Sequence, residues 1–509
     1  MFRITNRMMY DSTLFHTFRN NQGMLAAQEQ LSTGKRINRP SDDPVGMMEV
    51  LQFRTDIGKA DQYLRVMDNA DAYLGTADST LGSVHDQLKV VKELAVQHAG
   101  APMGTAENRI TAATQVDNII QQMIQYGNTR VGDRYIFSGQ KSNNMAVDSN
   151  GNYLGSGKDL RAEINTNTII PVSVRASEFL TTDMNPALSS ANNGTLLASL
   201  NGGSGVPAGN FSITNRLGAT ATITTAAMTD LQDVIAAING TGLNVTATIS
   251  ADGTALVLTD SNANPTQALS IIDGGSGTAQ ALGISGSRNT SVFTGDDLNP
   301  TISGNTLLSD LYGGTGLTLT NITLTNSASS ATVTFTGAET TVQNVLDAIN
   351  AVGAGINVNA AIDAMGQKLN ITSTNPATVA NAFDTATGST AEFLGIGGGQ
   401  NVIPVLQRLS AALKANDTNG IMTSMALLDT TMANVNAVRG SVGARANQVV
   451  STRDSVDQGK YENTKLKSFV EDADFLKAAS DLAMLQTAYQ ATLKSSSSIV
   501  QPSLLDFLR

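Results

Sequence analysis

FLKAASDLAMLQTAYQATLKSSSSIV, residues 475–500, carries a packing position every 3.5 residues on average. Alternate steps of four and three pick out Phe475, Ala479, Leu482, Gln486, Tyr489, Leu493, Ser496 and Val500. A seam of that period stays on one face of a helix, as a helix needs when it buries itself against another. The opposite end follows the same rule through Ile4, Met8, Asp11, Phe15, Phe18, Gln22, Leu25 and Glu29. Chain ends are ordinarily loose and polar. Two ends reserved for helix partners suit a building block better than a catalyst.

Moving inward from the C-terminal stretch, Ser468 and Glu471 have the S-x-x-E spacing of a capping box, with Asp472 and Asp474 beside them, which predicts the start of the last helix here. Upstream runs the cleanest seam: Ile421, Met425, Leu428, Met432, Val435, Arg439, Val442, Ala446, Val449, Arg453 and Val456. Arginines inside it predict a packed but partly wet interface in which a guanidinium reaches a carboxylate on a neighbour. Behind the first helix, LSTGKRINRPSDDP holds Gly34 to stop that helix and Asp43 to cap the next, with Pro44 at its first position, where a missing N–H costs nothing. The next seam passes through Phe53, Ile57, Ala60, Leu64, Met67, Asp71 and Leu74, slips by one, and resumes at Ala77, Leu81, Val84, Leu88, Val91 and Ala95. Gly100 to Gly104, with Pro102, end it. A third helix is expected over 106–132, with Ile110, Ala113, Ile120, Ile124 and Val131 on one stripe and Val116, Ile119, Met123 and Tyr126 on another.

From Asp133 to about Leu180 the period changes to two. DRYIFSG, the Asn150-Gly151 turn, LRAEI and IIPVSV predict short strands in hairpins. Asp148, Asn150 and Asn152 imitate the start of a calcium loop, but Tyr153 occupies the place of its required glycine, so a plain hairpin is expected. The middle repeats itself. TLLASLNGGSGV from Thr195 matches TLLSDLYGGTGL from Thr306, the same offset carries Asn239 onto Asn350, and a two-residue insertion then aligns Gly253 with Gly366. Each unit reads strand, strand, short helix (LQDVIAAIN or VQNVLDAIN), strand, strand, and closes on Leu-Gly-Ile.

These patterns predict a multidomain α+β chain. Its ends form a helical coiled-coil or bundle domain (1–40 with 465–509). A helical rod follows (41–187 with 401–464, hairpins at 133–180), and two tandem α+β repeats are inserted at 188–287 and 288–400. The net charge of -11 is unevenly placed, because 13 acidic and 3 basic residues lie between Leu188 and Gln400. Neither part offers the basic face that a nucleic-acid partner requires. No apolar run is long enough to span a membrane, and no apolar core follows Arg3 and Arg7 to make a cleaved secretory signal. Cys is absent, which excludes disulfides and thiolate chemistry. His16, His85 and His98 lack metal-ligand spacing, and GGSG and GIGGG are glycine-rich turns without the rest of a phosphate loop. No catalytic, cofactor-binding or metal residue is expected, and the chain is not expected to be an enzyme.

LSTGKRINRPSDDPVG, residues 31–46, resembles the N-terminal signature of bacterial flagellins and hook-associated proteins. GDRYIFSG (132–139) and FVEDADFLKAASDLAMLQTAYQATL, ending in SLLDFL, are similar to the hook-associated branch of that superfamily, and the middle repeats resemble domains inserted in its members. The resemblance implies an axial structural protein, exported by the flagellum's own type III route without a cleaved signal and assembled outside the cell as a ring. Its partners would be further copies of itself, another hook-associated protein on the hook side, flagellin on the filament side and an export chaperone. Together with the seams it implies that subunit packing is carried by Ile4, Met8, Phe15, Phe18, Leu25, Leu31, Gly34, Arg36, Asn38, Pro40, Asp42, Asp43 and Pro44. At the other end the packing residues would be Phe475, Leu482, Tyr489, Leu493, Val500, Leu504 and Leu505. A filament subunit is the alternative within the superfamily. Surface adhesion or glycan binding by the repeats is the alternative outside it, weakened by their few aromatics.

Overall fold

The structure, a computed structural model, describes residues 6–505 apart from 101–104, 189–193, 252, 386–387 and 398–400. The expected breaker Pro102 and the GIGGG glycines 398–399 therefore lie outside the described residues. Its helices of two turns or more are α1 (Asn6–Thr33), α2 (Pro44–Ala99), α3 (Ala106–Gly127), α4 (Leu231–Asn239), α5 (Val342–Gly353), α6 (Val402–Lys414), α7 (Thr418–Glu471) and α8 (Phe475–Leu505). Two compact units share the chain, one made of 1–69, 163–169 and 448–509, the other of 70–162 and 170–447.

The long helices follow their seams, with one revision. α2 buries Ala60, Met67, Ala70, Leu74, Ala77, Leu81, Val84, Leu88, Val91 and Ala95. Ala70, not Asp71, holds the buried place, so steps of three and four alternate from Met67 to Ala95, and the slip expected after Leu74 falls instead at Met67. Asp71 stays exposed, where its carboxylate keeps its hydration. In α7, Ile421, Leu428, Val435, Val442, Val449 and Val456 are buried at every seventh residue. Its arginines find their carboxylates on α2: Arg439 holds both oxygens of Asp78 at 2.7 and 3.2 Å, and Arg453 pairs with Asp68.

α3 ends at Gly127, earlier than expected. Asn128 caps it, donating its N–H to Ile124 and Gln125 and using its side chain to hold Ala146 and Val147. Val131 is thereby moved into a hairpin, β1 (Arg130–Val131) with β2 (Arg134–Tyr135), turned at Gly132 and Asp133. Ile110, expected on the buried stripe, is exposed, and Arg109 lies in the interior instead. The arginine is accommodated because its guanidinium donates to the His98 carbonyl at 3.0 Å and to Asn416 Oδ1 at 2.5 Å. DRYIFSG is strand only at β2, and a second hairpin joins β3 (Arg161–Asn165) to β4 (Thr168–Pro171). The Asp148 carboxylate is occupied by its own turn, accepting the N–H groups of Asn150 and Asn152 at 2.8 Å each.

The repeats share a core of five strands, one more than expected, and the first carries two further short strands. The first contains β5 (Asn210–Thr214), β6 (Thr220–Thr224), β7 (Val245–Ile249), β8 (Leu256–Asp260), β9 (Leu269–Asp273), β10 (Gly286–Arg288) and β11 (Val292–Thr294) in sheets ordered β10-β9-β5-β6 and β11-β8-β7. The second contains β12 (Ile322–Asn326), β13 (Ser329–Val333), β14 (Val358–Ile362), β15 (Leu369–Ser373) and β16 (Ala380–Asp384), ordered β13-β12-β16 and β14-β15. The added strand is β9 or β16, paired antiparallel with the first strand of its own module. One helix seals each core through Leu231, Val234 and Ile238 or Val342, Val345 and Ile349. The matched asparagines do matched work. Asn239 exchanges two hydrogen bonds with the Ala247 backbone (2.6 and 3.2 Å), and Asn350 does the same with Ala360 (2.6 and 3.0 Å).

Candidate assembly site

The signature loop is clasped to the short link between α7 and α8. Gly34 stops α1 with φ +69°, a value its missing Cβ permits, and donates its N–H to Gln30. Its carbonyl accepts the Ala473 N–H at 2.9 Å, while the N–H groups of Arg36 and Ile37 reach the Glu471 carbonyl at 2.7 and 3.4 Å. Arg36 adds Nη2 and Nε bonds of 2.8 and 3.2 Å to the Val470 carbonyl and pairs with Asp43 at 3.2 Å. Asp43 is the expected cap of α2, accepting the Gly46 N–H at 2.9 Å. That bond foremost, and then Arg36, hold its carboxyl below the usual range against the opposing effect of desolvation. Asp42 ties the loop by accepting the N–H groups of Asn38 and Arg39, and Asn38 donates to the Lys35 carbonyl. Pro40 and Pro44 are exposed, and Leu31 is half-buried.

Glu471 belongs to this clasp and not to a capping box. It ends α7, its side chain is 2 % exposed, and it pairs with Lys35 at 2.6 Å and with Arg54. Burial pushes its carboxyl up, but Lys35 and Arg54 outweigh it and leave the group below the usual range. Ser468 bonds Asp472, and the cap of α8 is Asp474, whose carboxylate accepts the Lys477 N–H at 3.0 Å. The expected boundary is right to within a few residues, but the roles of Ser468 and Glu471 are different. Lys35 and Arg54 drew no notice in the sequence, since Glu471 is more than 400 residues away and nothing local announces the pair.

Beyond the clasp, α1 and α8 run together. They meet along a row shifted from the one the apolar residues define. On α1 the covered positions are Thr13, Thr17, Asn20, Met24, Ala27 and Leu31; on α8 they are Ala478, Leu482, Leu485, Tyr489, Thr492 and Ser496. Each row keeps the steps of four and three. Small residues bring the backbones close: a Cβ on Gly23 would lie 3.2 Å from Leu485 Cδ1. Leu482 and Tyr489 thus serve the internal contact. Met8, Phe15, Phe18 and Leu25 point elsewhere and are 61–71 % exposed. Phe475 and Leu493 are exposed too, joined by Leu476 and Met484, which the seam had missed. The side chains of Ile4, Val500, Leu504 and Leu505 lie outside the described residues.

Other chemistry is sparse. Among the described residues, no cluster of three or more His, Asp or Glu is placed to hold a metal ion, and no helix is long and apolar enough to cross a membrane.

Residues 4–142 match the bacterial flagellin N-terminal helical region, and residues 425–508 match the bacterial flagellin C-terminal helical region. The two paired ends of the chain are thus similar to the two helical regions of bacterial flagellins. Among individual relatives it is similar to flagellar hook-associated protein 3 of Salmonella typhimurium, 27 % identical over 166 residues, covering 32 % of this chain and 52 % of that protein. It is also similar to flagellin of Listeria monocytogenes, 31 % identical over 111 residues, covering 22 % of this chain and 38 % of the relative. The chain spans about half the length of the hook-associated relatives it matches. A solved hook-associated protein 3 from Legionella pneumophila aligns over 82 % of this chain and 98 % of its own, at 14 % identity and a TM-score of 0.37.

Proposed function

We propose that this chain is a structural, non-catalytic axial protein of the bacterial flagellum, joining hook to filament as a ring of packed subunits outside the cell. The observation that carries the proposal is the outward apolar face of α1 and α8. Met8, Phe15, Phe18, Leu25, Phe475, Leu476, Met484 and Leu493 are exposed on helices that already pack on each other through other residues. Burying each is worth about 1.5–3 kcal/mol, so together they offer on the order of 10 kcal/mol to an interface before the costs of association. In this reading neighbouring copies cover the face, a second hook-associated protein meets the ring on one side and flagellin on the other, and a chaperone shields the face before export. Flagellin's own role is the second reading, favoured by the 31 % identity to flagellin.

Replacing Phe15 and Phe18 by Asp together tests the role of the face. The full chain is expected to remain folded and monomeric, with unchanged protection of the α4 and α5 amides, and to fail to restore filaments to cells lacking the native protein. Normal filaments built with the double variant would overturn the proposal.

A further inference from the structure

One surface of α6 faces β15 across a cleft of about 260 Å³. α6 buries Val402, Ile403, Val405, Leu406 and Leu409 on its inner side, which turns Gln407 and Arg408 toward the cleft. β15 buries Leu369 and Ile371 and leaves Asn370 and Thr372 on the same opening, with Lys368 just before them. Arg408 is poorly matched by its surroundings. Its Nη1 is shut off from solvent with no hydrogen-bond partner, and its Nη2 reaches the Gly395 carbonyl only at 3.4 Å. Burial lowers the guanidinium to about 10, which still leaves it charged at neutral pH. Lys368 is likewise pushed down by burial, with Asp363 opposing, Arg408 adding to the depression, and Asp148 and Asp183 opposing it further. Among the described residues neither cation has a carboxylate within ion-pair distance, although the neighbouring repeats, residues 188–400, hold 13 acidic residues to 3 basic ones.

A buried charge left without a partner is strongly destabilising, and two cations on one cleft add repulsion. Neutral ligands leave both costs in place, whereas an anion relieves them together. The cleft falls below the range of about 300–1,000 Å³ common for drug-sized ligands, so its occupant is small. We propose that it is a binding site for a small oxyanion of the sulfate, phosphate or carboxylate class, held between Arg408 and Lys368, with Asn370 and Thr372 at the rim. This site lies on the second repeat and α6 and is independent of the packing face on α1 and α8.

Titration calorimetry of the full chain with sodium sulfate, and separately with sodium acetate, tests it at ionic strength held constant with chloride. Saturable binding at one site is expected, weakened at least tenfold in Arg408→Gln and in Lys368→Gln and unchanged in Lys465→Gln. If Arg408→Gln fails to fold by circular dichroism, Lys368→Gln decides alone. Absence of saturable binding of either anion overturns the proposal, as does equal binding by a folded Lys368→Gln chain. Self-association that sulfate dissolves and Lys368→Gln abolishes would give the cleft to an acidic side chain of a second copy, and would overturn the free-anion assignment.

Discussion

Glu471 shows how one side chain fixes a chain crossing. Its carboxylate is nearly inaccessible, and Lys35 and Arg54 make its ionised form the favoured one. Glu471→Gln is expected to loosen the clasp by about 1–3 kcal/mol, as removal of a charged, buried acceptor does, read as faster amide exchange at Arg36, Ile37 and Ala473. The pH sign follows from the direction of the shift. A carboxyl held below its usual value contributes stability that is complete above the unfolded value and is lost as pH falls through the folded one. Protection of those three amides should therefore weaken below about pH 4.5 in the native chain and lose that dependence in the variant. Asp183 works in the opposite direction. Burial raises it to about 6, ahead of the opposing Asn185 N–H and Arg175, so the second unit should lose stability as pH rises from about 4 to 6. Asp183→Asn should remove that slope from the thermal unfolding profile; an unaltered slope would mean that another group titrates. None of this could be read from residues 183 or 471 in sequence, because their environments are assembled from distant segments.

At the scale of elements, legibility followed period. The rows through α2 and α7 were plain because apolar residues and burial share one spacing, and Arg439 and Arg453 found the carboxylates their positions required. β9 and β16 escaped notice because LSIID and ANAFD lie among polar, turn-rich residues, and only pairing with β5 and β12 makes them strands. The α1–α8 contact was hidden for a different reason. Most of its row on α1 is Thr13, Thr17, Asn20 and Ala27, with Gly23 beside Met24, and these carry little hydrophobic signal, while the conspicuous phenylalanines sit on another face. Gly23→Leu puts branched carbon where Leu485 already sits. Such overpacking is expected to cost about 1–3 kcal/mol, seen as lower amide protection in α1 and α8 with the repeats unchanged. Equal protection in both chains would show that the two helices do not depend on close approach.

For the whole molecule, the signature at 31–46 and the seams at both ends carried most of the functional reading, since they are the parts that flagellin-type helical regions share. They said less about which residues face inward and which outward, because a heptad defines a stripe without naming its partner. The structure separates the two. Leu482 and Tyr489 hold the chain to itself, and Phe15, Phe18 and Phe475 are left for something else. Position in the assembled flagellum tests most directly what occupies that face. Gold labelling of an epitope placed in the exposed Gly337 turn, in cells rescued by the labelled chain, should show a single band at the hook-proximal end of each filament. Label distributed along the filament would contradict the junction role and assign the chain to the filament itself.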